Sequence, residues 1–137
     1  MESIVADSPE AMMQVGSDLI RRLSQGDIVL LSGPLGAGKT TLVRGALRAV
    51  GITEPVRSPT YNLLQVFPAE PPVLHADLYR VQSAEGLGIE DYLDTHILFI
   101  EWPDRAESWL TSGRVWKVEI AVTEDRRLVQ IQGPNSG

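Results

Sequence analysis

Eight consecutive residues, Gly33-Pro34-Leu35-Gly36-Ala37-Gly38-Lys39-Thr40, satisfy G-x-x-x-x-G-K-[ST] in full. Glycines at this spacing let successive backbone N–H groups curl around a phosphate. A lysine after them reaches the outer phosphates, and the Thr40 hydroxyl is placed for Mg²⁺. The motif carries this meaning only where a strand precedes it and a helix follows. Asp27-Ile28-Val29-Leu30-Leu31-Ser32 is a short apolar run without alternation, which predicts a strand buried on both faces, as in a parallel sheet. Val43, Ala46, Leu47 and Val50 then recur at helical spacing, and Gly51 closes the helix. Strand, glycine loop and helix follow in the required order, and the helix N-terminus adds partial positive charge for an anion. Nucleotide binding is the strongest expectation.

Acids must complete such a site from neighbouring strand ends. Ile97-Leu98-Phe99-Ile100 reads as a second fully apolar strand ending in Glu101. An acid there either meets the loop as a metal ligand or opens an exposed turn. Asp77 ends the strand Val73-Leu74-His75-Ala76-Asp77; it is either the residue that orients or deprotonates an attacking water or a helix cap. Thr60, within Arg57-Ser58-Pro59-Thr60-Tyr61, either senses the γ-phosphate or metal or lies in an ordinary proline turn. Arg57 and Arg80 read as surface residues or as charge for the transition state. Tyr79 and Trp102 flank the acids or pack in the core. His75 and His96 stand among apolar residues and read as packed, hydrogen-bonded histidines.

The remaining elements supply the frame. Ser8 caps a helix with Pro9 at its first position, Met12, Val15, Leu19 and Leu23 form its apolar stripe, and Gly26 ends it. Residues 61–67 and 73–77 are strands joined by a short proline-rich link, hence an antiparallel hairpin. A weak helix is expected over Ser83 to Leu93 and a short one over 103–110. Residues 115–122 alternate, with Trp116, Val118, Ile120 and Val122 on one face, and pair with 127–131 across Glu124-Asp125-Arg126. The expected fold is α/β: a P-loop NTPase-like three-layer arrangement with a mixed parallel and antiparallel sheet, one domain over 1–137, and a frayed tail over 133–137.

Composition narrows the function. With 43% hydrophobic and 22% charged residues the 137-residue chain is globular. Eighteen acids against twelve Lys and Arg leave a net charge of −6, which disfavours unaided grip on nucleic acid. The absence of cysteine excludes disulfides, thiolate chemistry and Cys-ligated metal, and two histidines cannot build a His-rich metal site. The acidic start is unlike a signal peptide and no run is long enough for a membrane span, so a cytoplasmic location is expected. The N-K-x-D and D-x-x-G signatures of GTPases are missing, as is an ABC-type LSGGQ segment, and the length leaves little room for the lid of a small-molecule kinase.

Four blocks in order, Gly33 to Thr41, Ser58-Pro59-Thr60-Tyr61, His75-Ala76-Asp77-Leu78-Tyr79-Arg80 and Ile100-Glu101-Trp102-Pro103, closely resemble the TsaE (YjeE) family over roughly residues 8 to 132. The resemblance implies a P-loop ATPase using ATP and Mg²⁺. It would support TsaB and TsaD in placing threonylcarbamoyl on adenosine 37 of tRNA, meeting tRNA only through that complex. It implies that Gly36, Ala37, Gly38, Lys39, Thr40 and Thr41 cradle the phosphates, and that Thr40 and Glu101 hold the metal. Asp77 would serve hydrolysis and Arg126 would contact nucleotide. Three departures stand out: Met12 where threonine is common, Pro34 where Asp or Asn is common, and a shorter segment between Arg80 and Tyr92. A small-molecule kinase and a nucleotide-gated binding module that barely hydrolyses ATP are the rival readings.

Overall fold

The computed structural model describes residues 1–53, 55–56, 64–78, 88–101 and 114–134. The expectations on Thr60, Arg57, Tyr79, Arg80 and Trp102, on a helix over 103–110, and on the tail at 135–137 lie outside the described residues, as does most of the short segment after Arg80.

Among the described residues, seven strands form one sheet. In chain order they are β1 (Glu2–Ala6), β2 (Asp27–Ser32), β3 (Leu64–Phe67), β4 (Val73–Asp77), β5 (Ile97–Glu101), β6 (Arg114–Thr123) and β7 (Arg126–Gln132), and their spatial order is β1-β7-β6-β2-β5-β4-β3. The centre, β6-β2-β5-β4, is parallel; β3 and the β7-β1 pair close the two edges antiparallel. Helices α1 (Pro9–Ile20) and α2 (Lys39–Ala49) cover one face. The mixed α/β sheet is the one expected.

The apolar runs of β2 and β5 are explained by burial on both sides. Val29, Leu31, Ile97 and Phe99 pack under α1 and α2, while Ile28, Leu98 and Ile100 pack on the opposite face with Leu78 and Ile89. Each such side chain contributes about 1.5–3 kcal/mol when fully buried. Along strand β6, Trp116, Val118 and Ile120 face the helix-covered core and are buried, while Lys117, Glu119 and Ala121 on the other face are exposed. Val122, expected inward, is exposed because it lies past the edge of that core.

Ser8 caps α1 as expected, its Oγ accepting from the Ala11 amide at 3.1 Å. The helix stops at Ile20, earlier than the apolar stripe suggested; Leu23 still packs against the core from the following turn. Gly26 turns the chain into β2 and donates its amide to the His96 carbonyl at 3.0 Å. Gly51 ends α2 in the left-handed region, with the Ile52 and Gly51 amides bonding back to the Leu47 and Arg48 carbonyls. In place of the expected helix up to Leu93, the described part holds one 3₁₀ turn, Ile89–Tyr92. The link between β6 and β7 is Glu124-Asp125, since Arg126 already pairs with Thr123.

β1 was not expected. Its partner β7 lies at the other end of the chain, with Ile4 opposite Val129 and Ala6 opposite Arg127.

The two helices approach closely enough to exclude a methyl group. A Cβ at Gly16 would stand 1.9 Å from the Leu42 carbonyl oxygen, and one at Gly45 would stand 2.0 Å from that of Met13. Helix propensity alone makes Gly45→Ala stabilising by about 1 kcal/mol. The clash with backbone predicts the opposite sign, a loss of about 1–3 kcal/mol, or roughly 4–12 °C in melting temperature. A thermal melt decides between them: an unchanged or raised midpoint refutes the close helix contact.

Candidate nucleotide site

The parallel strands β2, β5 and β4 end side by side, and the chemistry-bearing residues gather at those ends. In register, Leu31 lies beside Glu101, and Glu101 beside Asp77. Alternation along β4 and β5 puts His75, Asp77 and Glu101 on the face that carries α2. From β2 the chain enters the glycine loop and then α2.

Gly38 caps α2 with φ of 112°, and Gly36 has φ of 77°, both in the left-handed region that glycine enters without strain. Gly38 brings no capping side chain to the helix start. The first intrahelical bond runs from the Leu42 amide to the Gly38 carbonyl at 2.9 Å. The amides of Lys39, Thr40 and Thr41 come before it, in the first helical turn, where a helix favours an anion. Pro34, which lacks an amide, contributes its carbonyl, accepting from the Ala37 amide at 3.1 Å.

Lys39 is buried, and its Nζ donates to the Gly33 and Pro34 carbonyls, the latter at 3.2 Å. Burial lowers its pKa from the ordinary lysine value, opposed by the charges of Glu101 and then Asp77. Thr40 Oγ1 donates to Glu101 Oε2 at 3.1 Å, across 61 residues of sequence. The same carboxylate oxygen lies 2.6 Å from His75 Nε2. Glu101 and His75 are each 3% exposed, so the expectation of a hydrogen-bonded His75 holds, with the Glu101 carboxylate as its partner. Asp77, beside Glu101, is only half-buried. His96, half-buried, bonds the Thr95 hydroxyl at 2.7 Å and meets Tyr92 edge-on, away from this cluster.

A cavity of about 230 Å³ adjoins the loop, between the β1–α1 junction and the β6–β7 turn. Ser8, Met12, Gly38, Thr41, Asp125 and Arg127 are among its lining residues. Met12 is buried, with its Cε 3.1 Å from where a Gly38 Cβ would be, so this wall is apolar where a hydroxyl is common in the resembled family. Arg126 is exposed at the start of β7, while the half-buried Arg127 lines the cavity. The sequence placed Arg127 and Asp125 in the hairpin and gave neither a role at the site; only the register of the two-residue turn separates Arg127 from its neighbour.

At the other end of β2, Asp27 is fully buried. It accepts from Arg114 Nε at 2.6 Å, Trp116 Nε1 at 3.2 Å and the Ser24 amide at 3.0 Å. This knot ties β2 to β6, away from the loop.

A buried parallel strand that opens into a glycine loop and helix, with acids on the adjoining strand ends, defines a P-loop NTPase-like α/β protein. Residues 6–129 match the family described as Threonylcarbamoyl adenosine biosynthesis protein TsaE, and the chain belongs to that family. It is similar to the tRNA threonylcarbamoyladenosine biosynthesis protein TsaE of Haemophilus influenzae, at 35% identity over 96% of this chain and 90% of that protein. The protein of the same name from Streptomyces coelicolor is 37% identical over 76% of this chain and 75% of its own length. The crystal structure of Bacillus subtilis YdiB shares the fold, with a TM-score of 0.80 at 22% identity, covering 98% of this chain and 86% of that one. No helix among the described residues is long and apolar enough to cross a membrane.

Proposed function

We propose that this protein is the ATP-binding and ATP-hydrolysing member of the machinery that forms threonylcarbamoyladenosine at position 37 of tRNA. It works in the cytoplasm, as one domain, with TsaB-like and TsaD-like proteins. The observation that carries the reading is the hydrogen bond from Thr40, at the start of α2, to Glu101, at the end of β5. It joins the glycine loop to an acid buried at the C-terminal end of β5, the pairing that a magnesium nucleotide requires.

The residues fit that ligand. The donors are a hydroxyl and a carboxylate, hard oxygens of the kind magnesium takes, with phosphate and water completing its shell. Among the described residues no group of three or more His, Cys, Asp or Glu forms a metal site by itself, in keeping with an ion that arrives with its nucleotide. When bound, the ion would neutralise charge on the outer phosphates. Thr40 and Glu101 would hold it, Lys39 would pair with the outer phosphates, and the amides of Gly36 to Thr41 would cradle them. The adjoining cavity would take the nucleoside, with Arg127 and Asp125 as its polar contacts and Met12 as its apolar wall. Asp77 would orient or accept a proton from the attacking water, and Thr60 would sense the outer phosphate.

With a net charge of −6 the chain lacks the cationic surplus that phosphate contacts need. The isolated protein is therefore expected to show no tRNA binding at physiological salt. Recruitment should occur through its protein partners and depend on nucleotide. Pull-downs with ATP, ADP or no nucleotide, beside tRNA modification reconstituted with and without this chain, test the proposal. Tight tRNA binding by the chain alone, partner binding indifferent to nucleotide, or full modification without it would overturn the assignment.

A further inference from the structure

The His75–Glu101 contact has no part in the roles assigned above. Both side chains are 3% exposed, and Nε2 lies 2.6 Å from Oε2. A buried carboxylate is costly unless hydrogen bonds satisfy it. Its oxygen Oε2 has two donors from separate elements, Thr40 on α2 and His75 on β4. The two differ in what anchors them. Thr40 belongs to the loop and helix start that would close on phosphate. His75 sits in a strand paired on both sides, opposite Gln65 of β3 and beside Phe99 of β5. The same register places Asp77 beside Glu101, so His75 lies one pleat repeat lower, directed at Glu101 from the protein interior.

We infer that His75 is a positioning residue: it holds the Glu101 carboxylate in the orientation that receives the nucleotide-bound magnesium ion. This rests on the reading of Glu101 as the metal carboxylate. An ionised carboxylate can only accept, so Nε2 carries the proton and donates it. A flexible glutamate would otherwise lose rotamer freedom on taking up the metal; the histidine, fixed in the sheet, has already removed that freedom. Outer partners of this kind typically govern 10- to 100-fold of metal affinity.

The test is the Mg²⁺ concentration needed for half-maximal tightening of binding of a fluorescent ATP analogue, measured on the full chain. His75→Met, which fills the space without donating, is expected to raise it about 10- to 100-fold, with binding in EDTA changed less than about threefold. His75→Gln, whose amide can still donate, should recover most of the loss. Mn²⁺ bound with ADP should show an altered electron paramagnetic resonance line shape in His75→Met and a nearly native one in His75→Gln. Should His75→Met not fold, His75→Asn, with a donor too short to reach, takes its place. Unchanged Mg²⁺ dependence in the donor-less variant, or equal damage in His75→Gln, overturns the inference. Glu101→Gln separates the two readings. If it leaves Mg²⁺ dependence untouched, the metal assignment fails and this inference falls with it; if it alone raises the Mg²⁺ requirement, only the role of His75 is refuted.

Discussion

A Lys39→Ala protein is expected to bind Mg-ATP about 100-fold more weakly than the parent, or not measurably, in isothermal titration calorimetry. The lysine stem is buried, and its ammonium is held inside the loop by the Gly33 and Pro34 carbonyls. Burial disfavours its charge, which Glu101 and Asp77 only partly offset. An ammonium in such a place gains strongly from phosphate oxygens. Two charge-assisted contacts at about 1.5–3 kcal/mol each amount to a factor of 100 or more. The helix-start amides would remain and hold a weaker grip. ATP hydrolysis and tRNA modification with the partners should be lost together. Unchanged affinity with unchanged hydrolysis would sink the nucleotide site altogether.

The parts of this site carried by local pattern are the parts that sequence could reveal. The unbroken apolar runs 28–31 and 97–100 mark strands buried on both faces because each successive residue, whichever way it points, meets a core. The glycine loop needs its own residue types, so it is legible without any tertiary information. Gly51 was legible for the same reason, as a left-handed residue after a helical stripe. What escaped depends on distant pairing. β1 is a five-residue strand whose only strand partner among the described residues is β7, and nothing within Glu2–Ala6 announces that pairing. Which of the two neighbouring arginines lines the cavity turns on one residue of hairpin register, and a one-residue step reverses the face. Gly16 and Gly45 look like weak points in their helices until the helices are seen to touch. His75 showed only an apolar context; its hydrogen bond to Glu101 depends on two strands lying side by side.

Both carboxylates end parallel strands and lie next to each other, so like for like they should do the same work. Their surroundings differ. Glu101 is buried, bonded by Thr40 and His75, and fixed in place. Asp77 is half-buried at the rim. A fixed, desolvated carboxylate suits a metal; one with access to water suits proton transfer. Asp77→Asn keeps the shape and can still hydrogen-bond, but it cannot take up a proton. Single-turnover ATP hydrolysis, measured with the partner proteins present, is therefore expected to fall about 10²- to 10⁴-fold, while ATP affinity stays within about threefold. Glu101→Gln should show the converse first effect, a raised Mg²⁺ requirement for binding, with hydrolysis recovering in part at high Mg²⁺. Asp77→Asn hydrolysis should not recover at any Mg²⁺ concentration, since the missing function is not a metal contact. Identical profiles for the two variants would refute the division of roles, and an unimpaired Asp77→Asn would remove Asp77 from the chemistry.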